Sequence, residues 1–224
     1  MSTWTRGTLP TEHRHSQPGV YLYWIPLGAG GSGFVRLNGF IYEAGKALRE
    51  HRRPLRLYHT ALEVRLPEGD FIVETMWPSP DDATASRGVL LEGPVFSPLL
   101  SSTRVFRYEV RCWRDGTLPD AGHAVGGPQR VSGDLVVARG LLDQVGSVPA
   151  LIWGRDQLGA GDMWNSNSVI SWLLATTGLP MDTISPPQRG RAPGWEAGVE
   201  MARRLSVWDT TVLTRAPTSP PSQV

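Results

Sequence analysis

Four small polar residues in a row, Asn165, Ser166, Asn167 and Ser168, stand directly before the apolar run at 169–174. Each is a good helix N-cap, because a short side-chain oxygen can satisfy one of the N–H groups that the first helical turn leaves unpaired. One cap is enough for one helix, so the run holds more than capping requires. A serine at such a place has a second use. A helix start offers partial positive charge and free N–H donors, which hold a developing oxyanion. The hydroxyl itself becomes a nucleophile when a base takes its proton. Near neutral pH histidine is the side chain suited to that task. His59 lies in "LYHTALEV", 107 positions before Ser166. On a strand, His59, Ala61 and Glu63 share one face, and Tyr58, Thr60 and Leu62 the other. Two readings stand side by side at this point. Ser166 is either a nucleophile or one more cap, and His59 is either its base or a satisfied core histidine.

Other stretches invite chemistry and offer less. "GAGGSG", 28–33, has the G-x-G-x-x-G spacing of a dinucleotide loop. The strand before it is aromatic rather than a buried Val/Ile run, and no acid ends a strand about 20 residues later. A loop that lets backbone pass close to a neighbour is the better reading. His13 and His15 have no nearby partner to complete a metal site, so no metal and no cofactor are expected. Cys112, the single cysteine, cannot form an intramolecular disulfide and falls in mid-strand, where it reads as a small buried residue. Trp153 and Trp164 precede the polar run. Aromatics there either line a cleft or belong to the core.

The elements that must position these residues follow from periodicity. Residues 19–27 read as a strand, and 34–53 as a helix closed by Pro54. Residues 55–66 and 71–77 read as a hairpin about the turn "PEGD", and 102–116 as a further strand. The segment "SGDLVVARGLLDQVGSV" reads as a helix capped by Ser132 and stopped by Gly146. The helix after Asn165 follows, and a short one over 195–204. The hairpin makes the sheet antiparallel, so the fold class is α+β with helices packed on an antiparallel sheet. The 224 residues suit one domain, expected over 19–212 between flexible tails at 1–18 and 213–224.

The formal net charge of +1 provides no global field for nucleic acid or anionic membrane. Residues 1–60 hold eight basic and three acidic residues, and the excess gathers at 48–56, where it reads as a solvated helix end. The first residues lack the apolar run of a signal peptide, and no run is long enough to span a bilayer. A cytoplasmic location is the expectation.

The segment "YHTALEV", followed by "FIVET" and much later by "NSNSVISWLL", resembles the circularly permuted papain-like proteins. These include the PPPDE peptidases, the lecithin retinol acyltransferase relatives and NlpC-type amidases. Their pattern is a strand bearing H-T-x-[IL]-x-V, then a cysteine in N-C-[NE]-[HT]-F at a helix start. His59 falls on their histidine and Ser166 on their nucleophilic cysteine. The serine is a departure, shared with a bacterial family that carries N-S-N-[ST]-[FV]. The resemblance covers two short motifs and their order within about 20–178. It implies a permuted papain-like fold and a hydrolase or acyltransferase acting on amide or ester bonds. Ser166 would be the nucleophile and His59 the base, with Glu74 or Glu63 orienting the ring. Asn165, Asn167, Ser168 and Trp164 would line the site. A cysteine beside histidine ionises readily, whereas serine needs the histidine as a true base during attack. The alternative is a papain-like domain that binds a peptide or small ligand in the same cleft without turning it over.

Overall fold

The computed structural model describes residues 17–29, 48–49, 51, 53–78, 88–95, 97–99, 103, 106–187 and 190–214. Residues 1–16 of the tail expected at 1–18, with His13 and His15, residues 30–33 of the glycine-rich loop, most of the helix expected over 34–53, and 215–224 lie outside these residues.

Seven strands form one sheet: β1 (Gly19–Pro26), β2 (Arg56–Leu66), β3 (Gly69–Met76), β4 (Val89–Pro94), β5 (Arg107–Arg114), β6 (Gln129–Ser132) and β7 (Gly190–Arg191). The order is β4-β5-β3-β2-β1-β6, with antiparallel neighbours, and the short β7 pairs in parallel with the start of β2. The helices are α1 (Leu135–Gln144), α2 (Ser166–Thr176) and α3 (Trp195–Thr214). The class is therefore α+β on a mainly antiparallel sheet, as the hairpin implied.

Strand β1 explains why its sequence is not a simple alternation of apolar and polar. Val20, Leu22 and Trp24 enter the main core with the helices, while Tyr21, Tyr23 and Ile25 enter a smaller cluster on the opposite face. A central strand covered on both faces needs apolar residues at every position. In β2, Tyr58, Leu62 and Val64 join the main core, and Ala61 the smaller one.

Several boundaries differ from expectation. Strands β4 and β6 lie at the two edges of the sheet, and neither alternates apolar with polar residues in sequence. Strand β5 begins at Arg107 rather than at 102. Ser132 does not cap α1. It ends β6, and its hydroxyl accepts the Asp134 N–H at 3.1 Å. Asp134 is the cap, accepting from the Val136 N–H at 2.7 Å. Gly146 lies in a 3-10 turn after the helix. Helix α3 runs for 20 residues, past the short helix expected and into the segment expected to be tail.

Helices α2 and α3 pack closely through Gly198. A Cβ there would collide with the Ser168 carbonyl and the Ser171 hydroxyl. The Ser171 hydroxyl also donates to the Trp195 carbonyl at 2.7 Å. Overpacking of this kind costs about 1–3 kcal/mol. Gly198→Ala is expected to destabilise by about 2 kcal/mol or more in chemical denaturation, although alanine is the better helix former.

Candidate functional site

The polar run before α2 resolves into separate tasks. Asn165 is the N-cap. Its side-chain oxygen accepts the Asn167 N–H at 2.9 Å, and the Ser168 hydroxyl accepts the Asn165 N–H at 3.0 Å, completing a capping box. The Asn165 amide donates to the Pro193 carbonyl at 2.8 Å, and the Ser168 hydroxyl lies 2.7 Å from the Gly194 carbonyl. The buried Asp162 accepts the Gly194 N–H at 2.7 Å. Together these bonds fasten the approach to α3 onto the start of α2. Gly194, with φ +90°, has no room for a side chain beside Asn165.

Asn167 reaches in another direction. Its side-chain oxygen accepts the Thr60 hydroxyl at 2.9 Å, and its amide donates to the Tyr58 carbonyl at 3.0 Å and to Pro193 at 2.8 Å. Tyr58 and Thr60 flank His59. The start of α2 is therefore clamped to the part of β2 that bears the histidine, although 107 positions separate Thr60 from Asn167.

The sheet leaves an opening for this clamp. The β2–β3 ladder runs from Leu66↔Gly69 to Leu62↔Val73, and β7 meets β2 at Arg56 and Leu57. The Leu57 carbonyl points to β1, where it accepts from the Leu27 N–H. Carbonyls alternate along a strand, so the Tyr58 carbonyl points to the other side, between the end of one ladder and the start of the other. The Asn167 amide fills that edge position.

Ser166 is the residue of the four without a structural task. It is half-buried, and among the described residues its hydroxyl makes no hydrogen bond. In particular it is not hydrogen-bonded to His59. The register pairs His59 with Ile25, on the sheet face turned away from the helices. The open edge beside Tyr58 borders both faces, and Ser166 directly precedes the residue that occupies it.

On its own face His59 is half-buried. Burial lowers its pKa below the ordinary value of 6.5, and the charge of Asp120 acts against that. The imidazole is therefore mainly neutral at pH 7, the form that accepts a proton. Glu74 lies on the same face, because Glu63 pairs with Ile72 and residues two apart share a face. Burial pushes the Glu74 pKa up to about 7. Arg111, its partner across the ladder, pulls the other way, and Asp120 adds to the rise. Arg111 is already bound to the buried Glu109. Glu63 is engaged elsewhere, accepting from the Tyr23 hydroxyl and pairing with Arg65 at 2.9 Å. Asp120 is an acid that the sequence reading missed, since nothing in "TLPDAGH" marks it as a neighbour of His59.

The Glu74 environment predicts a pH effect on stability. A folded carboxyl with a pKa near 7 keeps its proton at pH values where the unfolded carboxyl, near 4.5, has lost it. Stability is then highest below the unfolded value and falls as pH rises toward 7. Denaturant unfolding should show a decline on the order of 2 kcal/mol between pH 4.5 and 7.5 from this group. Glu74→Gln should flatten that decline and exceed the parent in stability above pH 7.

The residues expected to line the site are buried structural members. Trp164 is 1% exposed and its ring N–H donates to the Tyr108 hydroxyl at 3.2 Å, which in turn donates to the Leu151 carbonyl. Trp153 stacks between Tyr108 and Trp77, with centroids 5.3 and 5.5 Å away. Asn165, Asn167 and Ser168 are engaged as described. Cys112 is half-buried rather than buried, and burial raises its thiol pKa to about 11, which leaves it a poor nucleophile. Among the described residues no cluster of His, Cys, Asp and Glu has the makings of a metal site, and no helix is long and apolar enough to cross a membrane.

Fold and site thus define an α+β protein in which a polar helix start is clamped against a histidine-bearing strand. Comparison with protein-family models, with curated proteins and with solved structures returns no match.

Proposed function

We propose that this chain is a permuted papain-like hydrolase or acyltransferase acting on amide or ester bonds, with Ser166 as nucleophile and His59 as general base. The Asn167 clamp carries the reading, because it brings the start of α2 to the two residues on either side of His59. The idle hydroxyl of Ser166 at a capped helix start supports it. So does the neutral imidazole, since a hydroxyl nucleophile needs a base that is unprotonated at working pH. In attack, the Ser166 oxygen bonds to the substrate carbonyl carbon while His59 takes its proton. The carbonyl oxygen becomes an oxyanion near the N–H groups that open α2. The proton then passes from His59 to the leaving amine or alcohol as its bond to carbon breaks.

The test is covalent labelling with a fluorophosphonate followed by peptide mapping. Adduct at Ser166 that vanishes in His59→Ala is the expected result. Folded protein that stays unlabelled, and that turns over no simple ester, sinks the enzymatic reading. A second reading, a non-catalytic domain binding a peptide or small ligand, is favoured by the missing hydrogen bond between Ser166 and His59. It predicts ligand binding that Ser166→Ala leaves intact.

A further inference from the structure

Two cysteine- and acid-based explanations of the His59 face fail on their own geometry: Cys112 lies on the helix face of β5, and Glu63 is held by Tyr23 and Arg65. Asp120 remains. It sits in the segment 117–127 that crosses the sheet face away from the helices. Leu118 is buried in the cluster that contains Ile25 and Ala61, with Ala121 and Ala124 packed against it. The Val125 N–H donates to the Trp24 carbonyl at 2.9 Å, which ties the segment down beside Ile25. Ile25 is the ladder partner of His59, and Ala61 is the next residue of β2 on the same face. Leu118 and Ala121 thus hold Asp120 over the strand position of the histidine. The Asp120 backbone carbonyl accepts the His123 N–H at 2.9 Å in a 3-10 turn, while its carboxylate caps nothing and makes no hydrogen bond among the described residues.

We infer that Asp120 is a positioning residue for His59, its carboxylate favouring the imidazolium that forms when Ser166 gives up its proton. The inference rests on the Ser166–His59 reading for its catalytic meaning, but the placement of Asp120 stands apart from it. This acid reaches the histidine from a crossing segment and not from β3, where Glu74 lies on the same sheet face beyond the last ladder pair, Leu62↔Val73. The charge of Asp120 acts on both His59 and Glu74. Among the described residues, the other charged or titratable groups facing this region include Glu109 and Arg111 on β5 and Tyr21 and Tyr23 on β1, with Glu63 and Arg65 farther along β2 and His123 in the same turn as Asp120.

The experiment is an NMR titration of the His59 ring protons in the full chain, assigned by the signal lost in His59→Gln. Asp120→Asn should move the His59 midpoint down by roughly 0.5 or more on the pH scale, since an opposite charge nearby favours the charged form. Asp120→Glu should restore most of it. A midpoint that does not fall in Asp120→Asn overturns the inference. So does a fall that Asp120→Glu leaves unrestored, because lost packing of the segment would then explain it. Fluorophosphonate labelling separates this from the parent reading. If the unmodified chain is not labelled, the enzymatic reading fails while the titration still decides the placement of Asp120. If it is labelled, Asp120→Asn should slow labelling about tenfold and Asp120→Glu should recover it.

Discussion

Asn167→Ala is expected to destabilise the protein by about 3 kcal/mol, whereas Ser166→Ala one residue away stays within about 0.5 kcal/mol of the parent. The contrast follows from the partners. Removing the Asn167 side chain orphans the Thr60 hydroxyl and the Tyr58 carbonyl, and takes one of two donors from Pro193. Each buried polar group left without a partner costs about 1–3 kcal/mol. Thr60 is 1% exposed, so water cannot easily replace what is lost. Removing the Ser166 hydroxyl breaks no hydrogen bond among the described residues. Urea unfolding of the two variants under one condition measures both values. For a chain of this size, 3 kcal/mol corresponds to a fall in Tm of roughly 6–12 °C. Equal destabilisation by both substitutions would mean that Ser166 has a structural role after all. An unaffected Asn167→Ala would remove the clamp as the device that joins α2 to β2.

The two halves of this site differed in how far they could be read from sequence. The helix start was legible as a chemical pattern, because cap residues before an apolar run have a local physical cause. So was the two-faced character of "YHTALEV", since the side-chain period of a strand is fixed by its backbone. The clamp itself was not legible. An Asn that binds partners 107 and 109 positions away has the same sequence signature as an Asn that caps its own helix. Asp120 was hidden for a similar reason. Its position comes from Leu118 and Ala121 packing on residues of β1 and β2, contacts that no local periodicity records. Strands β4 and β6 escaped because neither "VLLEGP" nor "QRVS" alternates apolar with polar residues, and α1 took Asp134 as its cap because β6 had already claimed Ser132. Glu74 could be placed on the return strand, but its face and its high pKa depend on burial and on the charge of Asp120, both tertiary facts.

Labelling of Ser166 should follow the ionisation of His59, rising from acid pH to a plateau with a midpoint below 6.5, the ordinary histidine value. The sign comes from the protonation state required. The neutral imidazole accepts the serine proton, so reactivity is proportional to the neutral fraction, which grows as pH rises through the folded pKa. Burial lowers that pKa, so the decline belongs to the acid side. His59→Ala should reduce the labelling rate by about 10²-fold or more and abolish the pH dependence. Ser166→Cys tests the same pairing without a substrate. A thiol beside an imidazole at a helix start should ionise well below the usual value of about 8.5, and alkylation by iodoacetamide should persist below pH 7. An ordinary thiol pKa in Ser166→Cys, together with a flat profile for the parent, would leave His59 as a strand histidine with no claim on Ser166. A lowered thiol pKa that returns to normal in the double variant Ser166→Cys, His59→Ala would tie the two residues together directly. The Asn167 clamp would then be common to both effects, since Asn167 directly follows Ser166 and its partners Tyr58 and Thr60 flank His59.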